Sequence, residues 1–222
     1  MLNPLETVSI IRFKNLDIIP VEKEVYRYLG VSPKDLLDLP LFKKKNTGFA
    51  ELVEKGIREV QALILPAVVY GEQEIKKTEG NNIFFENFAV ASSSLAVNLK
   101  DCSKATLVAG TIGPRIDRLI QKTSRFNAGL SGIYQAAGAM FIEEVIEKLN
   151  LLINERAGSL GYETRPRFSP GYGDLSLETQ KIFFGFLKPE KIGLTLMDTL
   201  VMAPEKSVTA FIGWKKRKQK DE

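Results

Sequence analysis

The stretch "RPRFSPGYGDLSLETQ", residues 165–180, gathers the side chains in this sequence that are best suited to hold a ligand. An arginine guanidinium binds a carboxylate through two parallel hydrogen bonds, and an aromatic ring attracts a cation such as a sulfonium. If the first part is extended, alternation predicts that Arg165 and Arg167 share one face and Phe168 the other. The spacing therefore indicates a site for a ligand with a carboxylate and a planar or cationic part.

A tight turn follows these arginines. Proline at 170 and glycine at 171 are the pair that a type II turn prefers, which places Tyr172 at the corner. Glycines at 171 and 173 let a ligand approach the backbone, and Asp174 or Ser176 can cap the next helix. The residues also fit a plain strand–turn–helix connection with surface arginines and a packing tyrosine, and both interpretations stay open at this point.

The residue types that are missing exclude several kinds of chemistry. The sequence has no histidine, so it lacks an imidazole general base, a Ser-His or Cys-His dyad and the commonest metal ligand. A single cysteine, Cys102, allows no internal disulfide and no cysteine-rich metal site, which is typical of the reducing cytoplasm. We therefore expect no catalytic residue and no metal ligand in the chain itself, and difficult chemistry would come from a bound molecule.

Charge is concentrated at the C-terminus. Five basic and two acidic residues in "WKKRKQKDE" account for +3 of the net charge of +4. We predict one folded unit over residues 1–213 and a charged, disordered tail over 214–222. The absence of a long apolar run or a basic leader predicts a chain without a membrane span, located in the cytoplasm.

Helical and strand patterns are interleaved along the chain. Tight turns such as Glu79-Gly80-Asn81 and paired strands near the end argue against a regular parallel sheet. We predict an α+β fold with a mixed, mostly antiparallel sheet flanked by helices. The predicted strands are "VSIIRF", "ALILPAVVYG", "ATLVAG", "GYETRPRFS", "IGLTLMDTLVMAP" and "KSVTAFIGW", and the longest predicted helix starts near "SGIYQ" and ends at Gly158.

Four stretches together resemble the activation domain of cobalamin-dependent methionine synthase, the module that binds S-adenosylmethionine. "RFSPGYGDLSLETQKIF" is similar to its Arg-x-x-Pro-Gly-Tyr segment, and three others match in the same order: "VYRYLG", "LVAGTIG" and "LMDTLVMAPEKSVTAFIG". The resemblance implies the fold of that domain and a role in reactivation, in which the domain docks on the cobalamin domain and presents S-adenosylmethionine for reductive methylation of cob(II)alamin.

The same resemblance implies site residues and partners. Arg167, Pro170, Gly171 and Tyr172 fall on the family's ligand-binding segment, and Glu144 aligns loosely with a glutamate turned toward the ligand. The implied partners are a methionine synthase that lacks its own activation domain and holds the cobalamin, and flavodoxin or another electron donor. This chain would then act as a stand-alone accessory component.

Two other functions remain as alternatives. An independent S-adenosylmethionine-dependent methyltransferase or small-molecule-binding protein would need no cobalamin, but the glycine-rich signature of a dinucleotide fold is absent. A nucleic-acid-binding protein would use the basic tail, with an affinity that falls steeply as salt rises. Glu143, Glu144 and Glu147 have helical spacing but no accompanying histidine, so we expect at most one of them to face a cleft.

Overall fold

The computed structural model describes residues 8–217. In chain order its strands are β1 (Ser9–Arg12), β2 (Ala67–Glu79), β3 (Asn82–Phe85), β4 (Ala89–Ala91), β5 (Cys102–Thr111), β6 (Tyr162–Thr164), β7 (Thr195–Leu196), β8 (Met202–Ala203) and β9 (Ser207–Lys216). Its helices are α1 (Glu22–Tyr28), α2 (Pro33–Leu37), α3 (Leu39–Lys45), α4 (Thr47–Leu63), α5 (Ser93–Asn98), α6 (Arg115–Ser124), α7 (Ala128–Ser159) and α8 (Gln180–Leu187). Within this part of the chain no helix is long and apolar enough to cross a membrane.

The main sheet has the strand order β4-β3-β2-β5-β9-β6, and β1 also pairs with β2. The pairings within the described residues are antiparallel, and the long ladders that β5 forms with β2 and β9 make up its centre. Helices cover both faces of this sheet. The predicted α+β fold with an antiparallel sheet flanked by helices is confirmed.

Alternating side chains of the central strands divide the core into two layers. Val108 of β5 and Ile212 of β9 point to the layer that contains α1, α4, α6 and α7. Leu107 and Phe211, each one residue earlier, point to the layer that contains α5 and α8. The sheet edge at β9 and β6 therefore lies between α7 on one side and α8 on the other.

Helix α4 and strand β2 meet at a different place from the one the sequence pattern suggested. The strand expected in "ALILPAVVYG" begins only at Ala67, because α4 continues through Leu63. Val53, Ile57 and Val60 are buried at helical spacing, and Pro66 disfavours helical geometry at the residue before it. The apolar run is thus shared between the end of a helix and the start of a strand.

The last strand extends beyond the domain boundary that we drew at residue 213. β9 runs to Lys216, and Trp214 is only 1% exposed, with its indole N–H donating to the Thr106 hydroxyl at 2.8 Å. Residues 214–216 therefore belong to the sheet, since this indole fills the core layer under α7. Residues 218–222 of the expected tail lie outside the described part of the chain. The strand expected in "IGLTLMDTLVMAP" is reduced to the short β7–β8 pair.

Candidate functional site

The two arginines of the motif lie on opposite sides of the sheet edge. The Arg165 N–H donates to the Gly213 carbonyl at 2.8 Å, whereas Phe168 exchanges backbone hydrogen bonds of 3.0 and 2.8 Å with Phe211. Two residues of this segment, 166 and 167, therefore lie opposite the single residue 212 of β9, which is a β-bulge with one extra residue. The prediction that Arg165 and Arg167 share a face is wrong, because the bulge interrupts the alternation on which it depended.

Each arginine consequently has its own surroundings. Arg165 lies on the α5 side, where its guanidinium donates to the Lys100 carbonyl at 3.3 Å. Phe168 packs into the same core layer. Arg167 turns to the other side and forms an ion pair with Glu143 of α7, with 2.9 Å between Nη2 and Oε2. Only Arg167 is placed to meet a ligand at the edge between α7 and α8.

The turn after the bulge has the predicted geometry. The Tyr172 N–H donates to the Ser169 carbonyl at 3.2 Å, and Gly171 has a φ of +90°, the left-handed value that a type II turn requires at its third residue. The Gly171 N–H also donates to the Leu175 carbonyl at 2.8 Å. Tyr172 projects from this corner with 68% of its surface exposed.

Asp174 fastens the turn to the start of α5. Its carboxylate accepts hydrogen bonds from the Ser92 hydroxyl at 2.6 Å, the Ser93 N–H at 2.7 Å and the Ser94 N–H at 3.0 Å, and also from the Ser93 hydroxyl. These donors, led by the Ser92 and Ser93 hydroxyls, hold the pKa of Asp174 well below its usual range. Ser176, the other predicted cap, does cap the helical turn that precedes α8.

The C-terminal end of α5 contacts the part of the same segment that precedes the turn. The Asn98 amide donates to the Pro166 carbonyl at 3.0 Å, directly before Arg167. Gly173 lies against the first turn of α5, where an added Cβ would come within 2.6 Å of the Ser94 hydroxyl. Helix α5 therefore contacts this segment both before Arg167 and after Tyr172.

A cavity of about 540 Å³ opens where this segment meets the edge of β9. Its volume lies in the range of small-molecule sites, roughly 300–1,000 Å³. The polar residues that line it come from four elements: Glu143, Arg167, Ser169, Tyr172, Gln180, Ser207 and Thr209. Phe168, Pro170 and Met202 supply apolar wall.

Arg167 retains hydrogen-bonding capacity at this cavity. A guanidinium has five N–H donors, and within residues 8–217 the side chain of Arg167 uses Nη2 for Glu143 and has no other protein acceptor. Arg167 is 26% exposed and Glu143 is 43% exposed, so solvent and a ligand can reach both groups. The pair presents a cation and an anion side by side, which suits a ligand that carries both a carboxylate and an ammonium group.

Glu144 lies behind this pair and not in the main cavity. It lines an adjoining cavity of about 210 Å³ with Glu24, Glu147 and Arg27, and the Arg167–Glu143 pair borders both cavities. Burial, and then repulsion from Glu147 and Glu24, raises the pKa of Glu144. Glu143 is the glutamate of this helix that faces the main cavity, and helical spacing alone did not distinguish it from its neighbour. Among residues 8–217 no group of three acidic or cysteine side chains could hold a metal ion.

Sequence reasoning also missed Gln180 and Thr209, which form the floor of the cavity. The Thr209 hydroxyl donates to Gln180 Oε1 at 2.9 Å, and the two residues are 2% and 5% exposed. Thr209 interrupts the apolar stretch "VTAFIGW", and this break in the pattern was the available signal, whereas Gln180 stands between Thr179 and Lys181 and gave none. Only the fold brings the two residues together.

Comparison with solved structures identifies the architecture. The chain superposes on the crystal structure of the MetH reactivation domain bound to AdoHcy with a TM-score of 0.72, over 96% of this chain and 80% of that one. The two proteins share a fold. Their sequences are 13% identical, and neither a family model nor a curated protein sequence matches this chain. The resemblance to the reactivation domain of methionine synthase, first drawn from four short stretches, is confirmed for the fold.

Proposed function

We propose that this chain binds S-adenosylmethionine in the cavity at the edge of β9. The observation that carries the proposal is the convergence of Arg167, Glu143 and Tyr172 on a cavity of about 540 Å³. The ligand's amino-acid end carries a carboxylate for the guanidinium and an ammonium for a carboxylate. Its sulfonium is a cation that the face of Tyr172 attracts. The solved structure of the same fold is bound to AdoHcy, which supports this choice of ligand.

We further propose that the chain acts as a reactivation module for a cobalamin-dependent methionine synthase that lacks such a domain. S-adenosylmethionine would supply the methyl group, and cobalamin held by that partner would accept it after reduction by flavodoxin or another donor. The residues of this chain would bind and orient the sulfonium, which is the positioning role expected when a cofactor supplies the chemistry. The absence of histidine and the single cysteine agree with this division of roles in a cytoplasmic protein.

Calorimetric titration of S-adenosylmethionine into the purified chain tests the binding step. Arg167→Ala should weaken binding by about 10- to 150-fold, because hydrogen bonds to a charged group contribute roughly 1.5–3 kcal/mol. The matched control is Arg165→Ala, two residues away and on the other side of the sheet edge. Equal loss of binding in both variants would contradict the assignment of Arg167 to the ligand, and an absence of heat with the wild-type chain would refute unaided binding.

A second experiment tests the reactivation role. Mixing the chain with a cobalamin-loaded methionine synthase fragment, S-adenosylmethionine and a reductant should convert the cob(II)alamin absorption spectrum to that of methylcobalamin. When S-adenosylmethionine is below saturation, Arg167→Ala should slow this conversion by the same factor by which it weakens binding. A chain that binds the ligand but leaves the spectrum unchanged would refute the reactivation role and leave ligand binding in place.

A further inference from the structure

Thr209 lies on a part of β9 that has an unpaired edge within the described residues. Phe211 directs both its N–H and its C=O toward Phe168, and backbone groups of a strand repeat their direction every second residue. The N–H and C=O of Thr209 therefore point to the same side as those of Phe211. The chain turns away after Phe168, and no backbone segment among residues 8–217 pairs with Thr209 on that side.

These backbone groups face the cavity and are almost inaccessible to bulk solvent. Thr209 lines the cavity and is 2% exposed. Buried N–H and C=O groups nearly always have a hydrogen-bonding partner, because an unpaired one costs free energy comparable to a lost hydrogen bond. A donor and an acceptor thus stand next to each other at the floor, ready for a ligand with the complementary pair.

Gln180 adds donors beside this strand edge. Its Oε1 accepts from the Thr209 hydroxyl, which orients the amide, and its Nε2 has no acceptor among the side chains and backbone of residues 8–217. Gln180 is 5% exposed and lines the same cavity. The floor therefore offers one backbone acceptor, one backbone donor and the two N–H groups of a fixed amide.

We infer that Gln180 and Thr209 read the hydrogen-bonding edge of an adenine ring. Adenine presents an amine donor beside a ring-nitrogen acceptor. The Thr209 C=O matches the amine, and the Thr209 N–H and the Gln180 amide match ring nitrogens. This inference rests on the proposed function, and it sets the orientation of the ligand: adenine lies at the α8 side and the amino-acid end lies at Arg167 on the α7 side.

Two ligands that differ only at this edge test the inference without altering the protein. S-inosylhomocysteine replaces the amine of S-adenosylhomocysteine by a carbonyl and adds a proton to the adjacent ring nitrogen, which reverses both hydrogen bonds. The wild-type chain should bind the adenosyl compound more tightly, on the order of 5- to 150-fold, the discrimination that one bidentate base contact supplies. Equal affinity would overturn the inference.

Gln180→Glu provides the matching change in the protein. A carboxylate still accepts from the Thr209 hydroxyl but places an acceptor against the lone pair of a ring nitrogen, so the affinity for S-adenosylhomocysteine should fall by about 2- to 13-fold, the contribution of one neutral hydrogen bond. An unchanged affinity in a folded variant, as judged by circular dichroism, would overturn the role of Gln180. If this variant does not fold, the comparison of the two ligands on the wild-type chain decides the question.

Adenosine separates failure of this inference from failure of the proposed function. Binding of adenosine with the same dependence on Gln180, without binding of S-adenosylhomocysteine, would refute the proposed function and leave the adenine site standing. If S-adenosylhomocysteine binds in a way that depends on Arg167, but with the same affinity as S-inosylhomocysteine, the adenine site would be refuted and the proposed function would stand. Binding of neither compound would overturn both.

Discussion

Substitution of Gly173 by alanine tests whether contact with α5 holds the turn between Arg167 and Asp174 in place. Gly173 has a φ of +55°, and an added Cβ would lie 2.6 Å from the hydroxyl and 2.9 Å from the Cβ of Ser94. Left-handed backbone costs an alanine roughly 1–2 kcal/mol, and an added methyl group in a packed contact costs about 1–3 kcal/mol. We therefore expect Gly173→Ala to lower the free energy of unfolding by about 2–5 kcal/mol.

Gly80 at the β2–β3 turn provides a matched control. Its φ is +58°, nearly that of Gly173, but no atom lies within 4 Å of the position that its Cβ would occupy. Gly80→Ala should thus show only the backbone cost of roughly 1–2 kcal/mol. The difference between the two variants, about 1–3 kcal/mol, measures the contact with α5.

Urea unfolding followed by circular dichroism gives both free energies, and calorimetry with S-adenosylmethionine gives the effect on the site. Gly173→Ala should also weaken ligand binding, because the displaced residue lies between Tyr172 and the anchor Asp174. Gly80→Ala should leave binding unchanged. Equal destabilisation by the two substitutions would refute the argument that α5 supports the turn.

Two further variants test the domain boundary and a partly buried carboxyl group. Trp214→Ala should destabilise the protein by about 3–5 kcal/mol in thermal or urea unfolding, because it leaves a cavity in the core where the indole, only 1% exposed, now packs. A loss under about 1 kcal/mol would place the end of the folded unit before this residue. Burial raises the pKa of Glu144, so folding binds its proton more tightly and wild-type stability should fall as pH rises from the ordinary glutamate value through the raised one. This fall should amount to less than about 1 kcal/mol of unfolding free energy, because Glu144 is partly solvated, and Glu144→Gln should abolish it. Identical dependence of stability on pH in the wild type and the variant, from pH 4 to 7, would contradict the raised pKa.

The sequence was sufficient for features that depend on neighbouring residues. The turn at Pro170-Gly171 follows from the fixed φ of proline and the freedom of glycine, and the structure has it. Ser32 and Pro33 start α2 as their local chemistry predicts, and Gly30 ends α1 in the left-handed conformation. Turn signals and alternation also favoured an antiparallel α+β fold, which the structure confirms.

Partner choices across the chain required the tertiary structure. The bulge that separates Arg165 from Arg167 depends on pairing with β9, some forty residues later, and a pairing register is not encoded in local spacing. Asp174 and Ser176 were the two candidates to cap the following helix. Ser176 caps it, whereas the Asp174 carboxylate binds the start of α5, about eighty residues earlier. Whether Glu143 or Glu144 faces the cavity depends on a rotation of α7 that its packing sets.

By itself, then, the sequence determined the type of chemistry and the local shape of the site: an arginine, a tight turn and a tyrosine in a chain without histidine. Tertiary structure decided which arginine meets the cavity, which glutamate accompanies it, and that Gln180 and Thr209 form its floor. The physical reason is the range of the interactions. Turns and caps arise within a few residues, whereas a cavity is the gap left when strands and helices distant in sequence pack together.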